Sequence, residues 1–414
     1  MTPAVLSLGA LLLVIAGSLT SRINVGVLAV ALAWPIAIFA AGWKADAVMG
    51  TFPSALFLTL VGVSVLFGVA QANGTMRAVA TSTLGLLRGQ AALLPPLFFL
   101  MACALSTAGP GAISTTALLA PLAMGIAIQA RMPVFLTALM IGNGANAGNL
   151  SPISAVGVIV HSAMAKIGLD GHLWSVWSAN VAAHVLASAA AWALFGGPAL
   201  LRAGNLTAME AAPPLTSKHW ITIGVIATWV AAVIVLKFNP GLSAFAAASV
   251  LLMTGIGDDT ESVKQIPWAV ILMVCGVSVL IGVLEKTGGM DLFTTLLARI
   301  ATPDTVNGAI AGITGLISTY SSTSGVIYPA FIPAVPGLVQ KLGGGDPLQV
   351  AMSINVGAAL VDVSPLSTIG ALCIAALPQG SADAKKLFRN LLLWGFSMTL
   401  AGALFCQLFI GFFA

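Results

Sequence analysis

Three asparagines stand three residues apart in an otherwise apolar stretch: Asn143, Asn146 and Asn149, within GNGANAGNLSP. On a helix this spacing keeps neighbours on one side, where they can share a cavity. An asparagine oxygen coordinates a cation and its amide hydrogens hold a carboxylate, but the same groups also serve as glue between membrane helices. The interleaved Gly142, Gly144 and Gly148, beside a Ser151-Pro152 break, favour a site. Asp362, within VDVSPLSTIG, is the clearest single charge in such surroundings. A carboxylate inside a membrane is costly and by default a functional candidate. It would ligate Na+, or titrate and carry a proton, or cap the amides freed at the start of the next half-helix.

Two hydroxyl-rich breaks could complement these groups, one in LSTAGPGAISTTALLAP (Leu105 to Pro121) and one in ISTYSSTSGVIYPAFIP (Ile317 to Pro333). Helices that start after a break present their positive ends to the middle of the membrane. Four such starts form a pocket for anionic oxygens without any Lys or Arg. No Lys or Arg lies in any of the four break regions. The competing reading is that Ser and Thr only re-satisfy their own helix backbone.

These breaks occur in pairs because the chain is written twice. Pro53 to Met76 reads PSALFLTLVGVSVLFGVAQANGTM, and Pro267 to Met290 reads PWAVILMVCGVSVLIGVLEKTGGM. The offset is 214 residues there, 212 at the hydroxyl-rich pair and 213 between NLSPISAVG and DVSPLSTIG. Small drift over several ordered matches means whole repeats. An apolar chain made of two copies is the sequence mark of a secondary transporter, with the substrate held between the copies.

Composition agrees. The chain is 59% hydrophobic and 7% charged with mean hydropathy +1.05, against about 25% charged residues in soluble domains. This implies an all-α polytopic membrane protein, since a barrel would alternate apolar and polar residues. The net charge of +4 is scattered, which argues against nucleic acid as a partner. Cys103, Cys275, Cys373 and Cys406 lie far apart in apolar runs and read as core filler. The four histidines form no HxxxH or HExxH, and no paired acids, GxGD or Ser/His pair marks a membrane enzyme. A channel is disfavoured because no ring of like charges or repeated filter motif appears.

Apolar runs predict spans at about 4–20, 24–42, 51–70, 173–198, 219–236, 241–256, 267–284 and 390–412. Segments 72–89 and 286–303 are mildly amphipathic and read as interfacial. The arm 91–105 would measure roughly 22 Å at 1.5 Å per residue, too short for a core of about 30 Å. It therefore reads as half of a re-entrant hairpin extending to 128, with a polar tip from Ser106 to Thr116. Segments 134–165 and 350–376 read as broken helices. Each repeat then crosses five times, with one hairpin and one broken helix, and the second repeat is inverted. The predicted organisation is 1–198 for the first repeat, 199–218 as a cytoplasmic linker around Pro213-Pro214, and 219–414 for the second. Ten cationic residues (Arg22, Arg77, Arg88, Arg131, Arg202, Lys218, Lys264, Lys385, Lys386, Arg389) fall on one side and six (Lys44, Lys166, Lys237, Lys286, Arg299, Lys341) on the other. The positive-inside rule places the first set in the cytoplasm and both termini outside, in a multi-pass inner membrane protein. Half-helices must keep one another satisfied, so 91–165 and 304–376 should move as one body past a scaffold made of the rest.

The paired hairpins and broken helices resemble the ion transporter superfamily, which includes the divalent anion/sodium symporters. The phrases GNGANAGNLSPISAVG and VGAALVDVSPLSTIGALCIAA are similar, more narrowly, to the MatC-type malonate and dicarboxylate carriers. The resemblance implies a homodimeric elevator transporter that moves a small dicarboxylate such as malonate, with Na+. The symporters carry Ser-Asn-Thr at each hairpin tip. Here the matching positions are Gly111-Ala112-Ile113 and Thr323-Ser324-Gly325, and Ser-Pro replaces the Thr-Pro of the broken helices. The implied substrate contacts are Gly111, Ser114, Asn149, Ser151 and Pro152 in the first repeat and Thr323, Ser324, Ser364 and Pro365 in the second. A buried dianion without Lys or Arg needs compensating cations. The expected cation ligands are Ser106, Gly109, Asn146 and Asn149 in one set and Ser318, Ser322, Asn355 and Asp362 in the other. The alternative is a proton-coupled carrier or a cation/proton antiporter of the same superfamily, with Asp362 as the proton site.

Overall fold

A computed structural model describes residues 2–20, 23–85, 91–129, 131–201, 214–319, 321–377 and 382–414. Arg22, Arg88, Arg202 and most of the predicted linker lie outside the described residues. The first half comprises α1 (Pro3–Thr20), α2 (Val25–Pro35), α3 (Ala45–Met49), α4 (Ser54–Ala72), α5 (Thr75–Gly85), α6 (Leu94–Ala108), α7 (Gly111–Gln129), α8 (Val134–Gly148), α9 (Ala155–Lys166), α10 (Leu173–Leu194) and α11 (Gly197–Leu200). The second comprises α12 (Ser217–Val235), α13 (Pro240–Met253), α14 (Asp259–Lys264), α15 (Trp268–Thr287), α16 (Gly289–Ala298), α17 (Val306–Ser318), α18 (Tyr328–Phe331), α19 (Val335–Leu342), α20 (Pro347–Val361), α21 (Thr368–Ala375) and α22 (Ala382–Phe409). Short turns at Thr323–Ile327 and Ile332–Ala334 join α18 and α19 into one arm that starts at Thr323. No strand occurs among the described residues. Four helical stretches are long and apolar enough to cross a membrane: Ser54–Ala72, Gly111–Ile128, Trp268–Thr287 and Asp383–Phe412.

Every expected span has its helix. The last one starts at Ala382 rather than at 390, because its first two turns, ADAKKLFRN, are polar and an apolar-run criterion passes over them. The first hairpin is also tighter than expected. α6 continues to Ala108, and the break is only Gly109-Pro110. Gly109 (φ 150°) and Gly111 (φ 75°) adopt backbone angles closed to other residues, which lets the chain reverse within two residues. Ser114, Thr115 and Thr116 therefore belong to α7, not to a loop. α7 has the length of a span, yet it starts in the interior, with Gly111 against Asn149 and Ala155, and returns along α6.

The duplicated phrase GVSVLFGV/GVSVLIGV has a structural use. Gly276 of α15 lies on the backbone of Gly26 in α2, and Gly62 of α4 lies on Gly241 in α13. A Cβ at any of these four glycines would overlap the facing main chain, so each pair permits a close crossing between an early helix of one half and the fourth helix of the other. The caps repeat too: Asn24 accepts from the Gly26 amide at 2.9 Å and Asn239 from the Leu242 amide at 3.0 Å.

Contacts near the chain ends fix which face each lies on. Ser7 bonds Thr287 at 2.8 Å, and Gln407 bonds the Asp304 carbonyl at 2.6 Å. Both ends therefore lie on the face that receives the end of α15 and the start of α17. On the opposite face Asn73, just after α4, bonds Thr222 near the start of α12 at 2.9 Å.

Two helices of the expected scaffold pack on the broken helices. α10 packs on α8 and α20, and α22 packs on α17, α20 and α21. Asn180 of α10 donates to the Asn146 and Ala147 carbonyls at 2.7 and 3.2 Å. These two helices thus pack on the broken helices, and Asn180 supplies α8 with hydrogen-bond partners.

Candidate functional site

The first break is stitched to the first hairpin tip. α8 ends at Gly148, and α9 resumes at Ala155 with Ser154 as its cap, accepting from the Gly157 amide at 3.0 Å. Between them Ser151 donates its hydroxyl to the Thr107 carbonyl of α6 at 2.7 Å and accepts from the Ser154 amide at 3.1 Å. The Ala155 amide donates to the Gly109 carbonyl at 2.9 Å, and the Ala112 amide at the start of α7 donates to Asn149 Oδ1 at 2.9 Å. Ser154 also donates to the Asn149 carbonyl. The positive ends of α7 and α9 are thereby held side by side.

The second half repeats the pattern with different chemistry. Ser364 donates to the Thr319 carbonyl at 3.0 Å, as Ser151 does to Thr107. Ser367 donates to the Asp362 carbonyl, as Ser154 does to Asn149. Ser318 bonds Thr323 at 2.6 Å and donates to the Ala358 carbonyl at 2.9 Å. The Asp362 carboxylate lies beside the Thr323 hydroxyl. Asp362 thus faces the tip, and α21 starts at Thr368 after Ser367.

The two halves meet where α8 passes α20. Asn146 Nδ2 donates to the Ala359 carbonyl at 3.2 Å, and Gly142 faces Val363 and Ile369. Each of Asn146 and Ala359 lies one turn before its break, so the breaks flank one central layer.

The predicted substrate residues fall into two groups. Gly111, Asn149, Ser151, Thr323, Ser324, Ser364 and Pro365 are buried around the stitches, whereas Ser114 and Pro152 are half-buried. The hydroxyls of Ser151 and Ser364 are committed to backbone carbonyls. Donors for a carboxylate at these points are therefore the main-chain amides of the helix starts.

In the first predicted cation set Ser106 Oγ and Asn146 Oδ1 are buried without a hydrogen-bond partner, beside Gly109 and Asn149, and hard oxygen donors of this kind suit Na+. In the second set Ser318, Ser322 and Asp362 gather at the tip. Asn355 stands seven residues before Asp362 on α20, a rise of roughly 10 Å at 1.5 Å per residue, with its amide nitrogen 3.7 Å from Met164 Sδ and its Oδ1 buried without a partner. Asn143 is buried with its whole amide unpartnered, so it does not share the bonds of its two neighbours.

Two polar residues escaped sequence reasoning. Asn180 supplies α8 with donors for its last carbonyls, and His184, one turn on, turns Nδ1 to the Asn180 carbonyl at 2.8 Å. Their i, i+4 spacing in an alanine-rich span was the available signal.

Comparisons with known proteins fit this geometry. Residues 1–149 match the family model described as "Dicarboxylate carrier protein MatC N-terminus". Among curated proteins no sequence match was found. The solved YdaH transporter of Alcanivorax borkumensis is similar in fold, with a TM-score of 0.59 at 17% identity over 100% of this chain and 99% of that one. The proteins matched are carriers and transporters rather than enzymes.

Proposed function

We propose that the chain is a secondary active transporter that imports a small dicarboxylate such as malonate together with Na+. The observation that carries this reading is the duplicated stitch: two hairpin tips joined to two helix breaks around a central layer that holds helix starts, orphaned oxygens and Asp362 but no Lys or Arg. One carboxylate would sit at the amides beside Ser114 and Ser151, the other beside Thr323 and Ser364. Na+ would be carried at Ser106, Gly109, Asn146 and Asn149, and at Asp362 with Ser318 and Ser322. The match of residues 1–149 to a dicarboxylate carrier model supports the substrate class.

In this reading the repeats are inverted, and the hairpins and broken helices, with α10 and α22 packed on them, form the moving body of an elevator. The Gly-mediated crossings of α2 with α15 and of α4 with α13 form the scaffold, which presents its outer apolar surface to lipid and to a second copy in a homodimer. The protein lies in the inner membrane with both ends outside. The test is malonate uptake into proteoliposomes at fixed pH, with Na+ replaced by K+ or choline. Uptake that persists without Na+ and stops when a pH gradient is collapsed would establish the rival, proton coupling at Asp362. No saturable uptake of any dicarboxylate would reject the carrier.

A further inference from the structure

Beyond the central layer, one cavity has a charged entrance. It measures about 380 Å³ and lies between α15 with its neighbour α3 on one wall, and α9 with the arm containing α18 on the other. Lys166 at the end of α9 and Glu285 and Lys286 near the end of α15 line its exposed rim. Ser162 and Ser278 lie deeper on opposite walls, and the floor is formed by Ile159, Val274 and Pro329. Ile159 is one turn above the start of α9, so the cavity runs from the face bearing the chain ends almost to the breaks. Met273, next to the floor residue Val274, stands over Gly325 of the second tip. Toward the opposite face the Phe67 ring of α4 lies on Gly109 of the first tip, backed by Trp229 at 6.0 Å between ring centroids and by Leu66 and Ile153, and the cavity beside it is lined by apolar residues such as Leu105, Ala108 and Val230.

The rim cations are held in place but not neutralised. Lys286 sits 5.3 Å from the centre of the Trp43 ring. Among the described residues the only close ion pairs are Lys264–Glu261 and Lys341–Asp291, so neither rim lysine is directly paired. Glu285 lies within electrostatic reach of both. Two lysines and one glutamate leave a net positive rim over low-dielectric walls, which focuses an attractive field on small anions.

We infer that this cavity is an outer binding station for a small dicarboxylate anion, in which Lys166 and Lys286 capture a carboxylate in competition with Glu285 before the anion descends past Ser162 and Ser278 to Met273. The inference rests on the carrier reading for its ligand. It assigns to three rim residues a role in capture that is separate from the central layer, which holds no Lys or Arg.

Two measurements test it on the full-length protein. In proteoliposomes, Lys166→Gln and Lys286→Gln should each raise the KM for malonate about three- to tenfold at low ionic strength, an effect that shrinks as salt screens the rim, while Glu285→Gln should lower KM. In the second, Ser278→Cys is placed in a Cys103→Ala background, since Cys275, Cys373 and Cys406 are buried. Membrane-impermeant anionic and cationic methanethiosulfonates should label Ser278→Cys from the face of the chain ends, the anionic reagent faster. Lys166→Gln should narrow that preference. An unreactive Ser278→Cys, or a preference unchanged by Lys166→Gln, overturns the station even if malonate uptake is intact. Absence of malonate uptake by the unmodified protein defeats the carrier reading instead, while the labelling rates still report on the rim.

Discussion

Replacing Ser151 by alanine separates a serine that holds the site together from one that touches the substrate. Its hydroxyl donates to the Thr107 carbonyl at 2.7 Å and accepts from the Ser154 amide at 3.1 Å, and the residue is 1% exposed. Removing it strands the Thr107 carbonyl, whereas the Ser154 amide keeps the Ser151 carbonyl as a partner at 3.2 Å. A buried group left unsatisfied costs about 1–3 kcal/mol, so Ser151→Ala should cost about that much. The matching change in the second half is equivalent. Ser364 donates to the Thr319 carbonyl at 3.0 Å, and its other bond, from the Leu366 amide, is long at 3.4 Å and belongs to an exposed residue. Ser364→Ala should therefore also cost about 1–3 kcal/mol, that of one stranded carbonyl. Thermal unfolding of the two variants, each with and without malonate, gives the comparison. Both should unfold at lower temperature, by similar amounts, with malonate affinity weakened as a consequence of a loosened tip. Two variants that unfold like the parent protein, yet bind malonate about 10- to 150-fold more weakly, would refute this: the hydroxyls would then be direct ligands worth a charge-assisted hydrogen bond each.

Three further outcomes are expected. Gly276→Val and Gly62→Val each press a side chain into a facing backbone, so either should lower the yield of folded protein, whereas Gly224→Val on α12, where a Cβ meets nothing within 4 Å, should not; size-exclusion profiles of the three variants decide it. Asp362→Asn should weaken Na+ dependence of uptake under sodium coupling and abolish pH-driven uptake under proton coupling, measured in the vesicle assay. A disulfide between Gly312→Cys and Ala403→Cys, whose Cβ positions lie 3.6 Å apart, should leave transport intact because α17 and α22 travel together, whereas one joining Gly325→Cys to Met273→Cys should arrest it; arrest by the first pair alone would count against α22 in the moving body.

The element plan was largely legible because apolar run length and Gly/Pro breaks both act locally. Gly109-Pro110 marks the first hairpin tip and the two Ser-Pro steps mark the broken helices, while the second tip is marked only by its hydroxyl-rich run before Thr323, and the structure breaks at all four. What the sequence hid was direction. Asn143, Asn146 and Asn149 share a spacing, but one amide meets nothing, one meets α20 and one meets the tip, since the outcome depends on which helix lies across. The same holds for Asn355, whose amide nitrogen meets Met164 while its oxygen meets nothing. Close crossings were hidden too: GVSV reads as a repeat signature, and only the facing Gly26 and Gly241 reveal why its glycine is small.

The two copies keep the same stitches but not the same charge, and this bears on coupling. Asn149 answers a main-chain amide with a neutral oxygen, while Asp362 in the equivalent place sets a carboxylate beside the Thr323 hydroxyl. Four helix starts, at about half a charge each, come close to offsetting a dianion. The negative charge of half-buried Asp362 is then left over from the sum, to be met by a bound cation or by a proton. Under the proposed sodium coupling the second half would need its cation outright, whereas one in the first half would be needed only so far as the helix ends fall short. The two halves of such a carrier would then be unequal in ion affinity, with Asp362 binding first and the Ser106–Asn146 oxygens completing the site as the anion arrives.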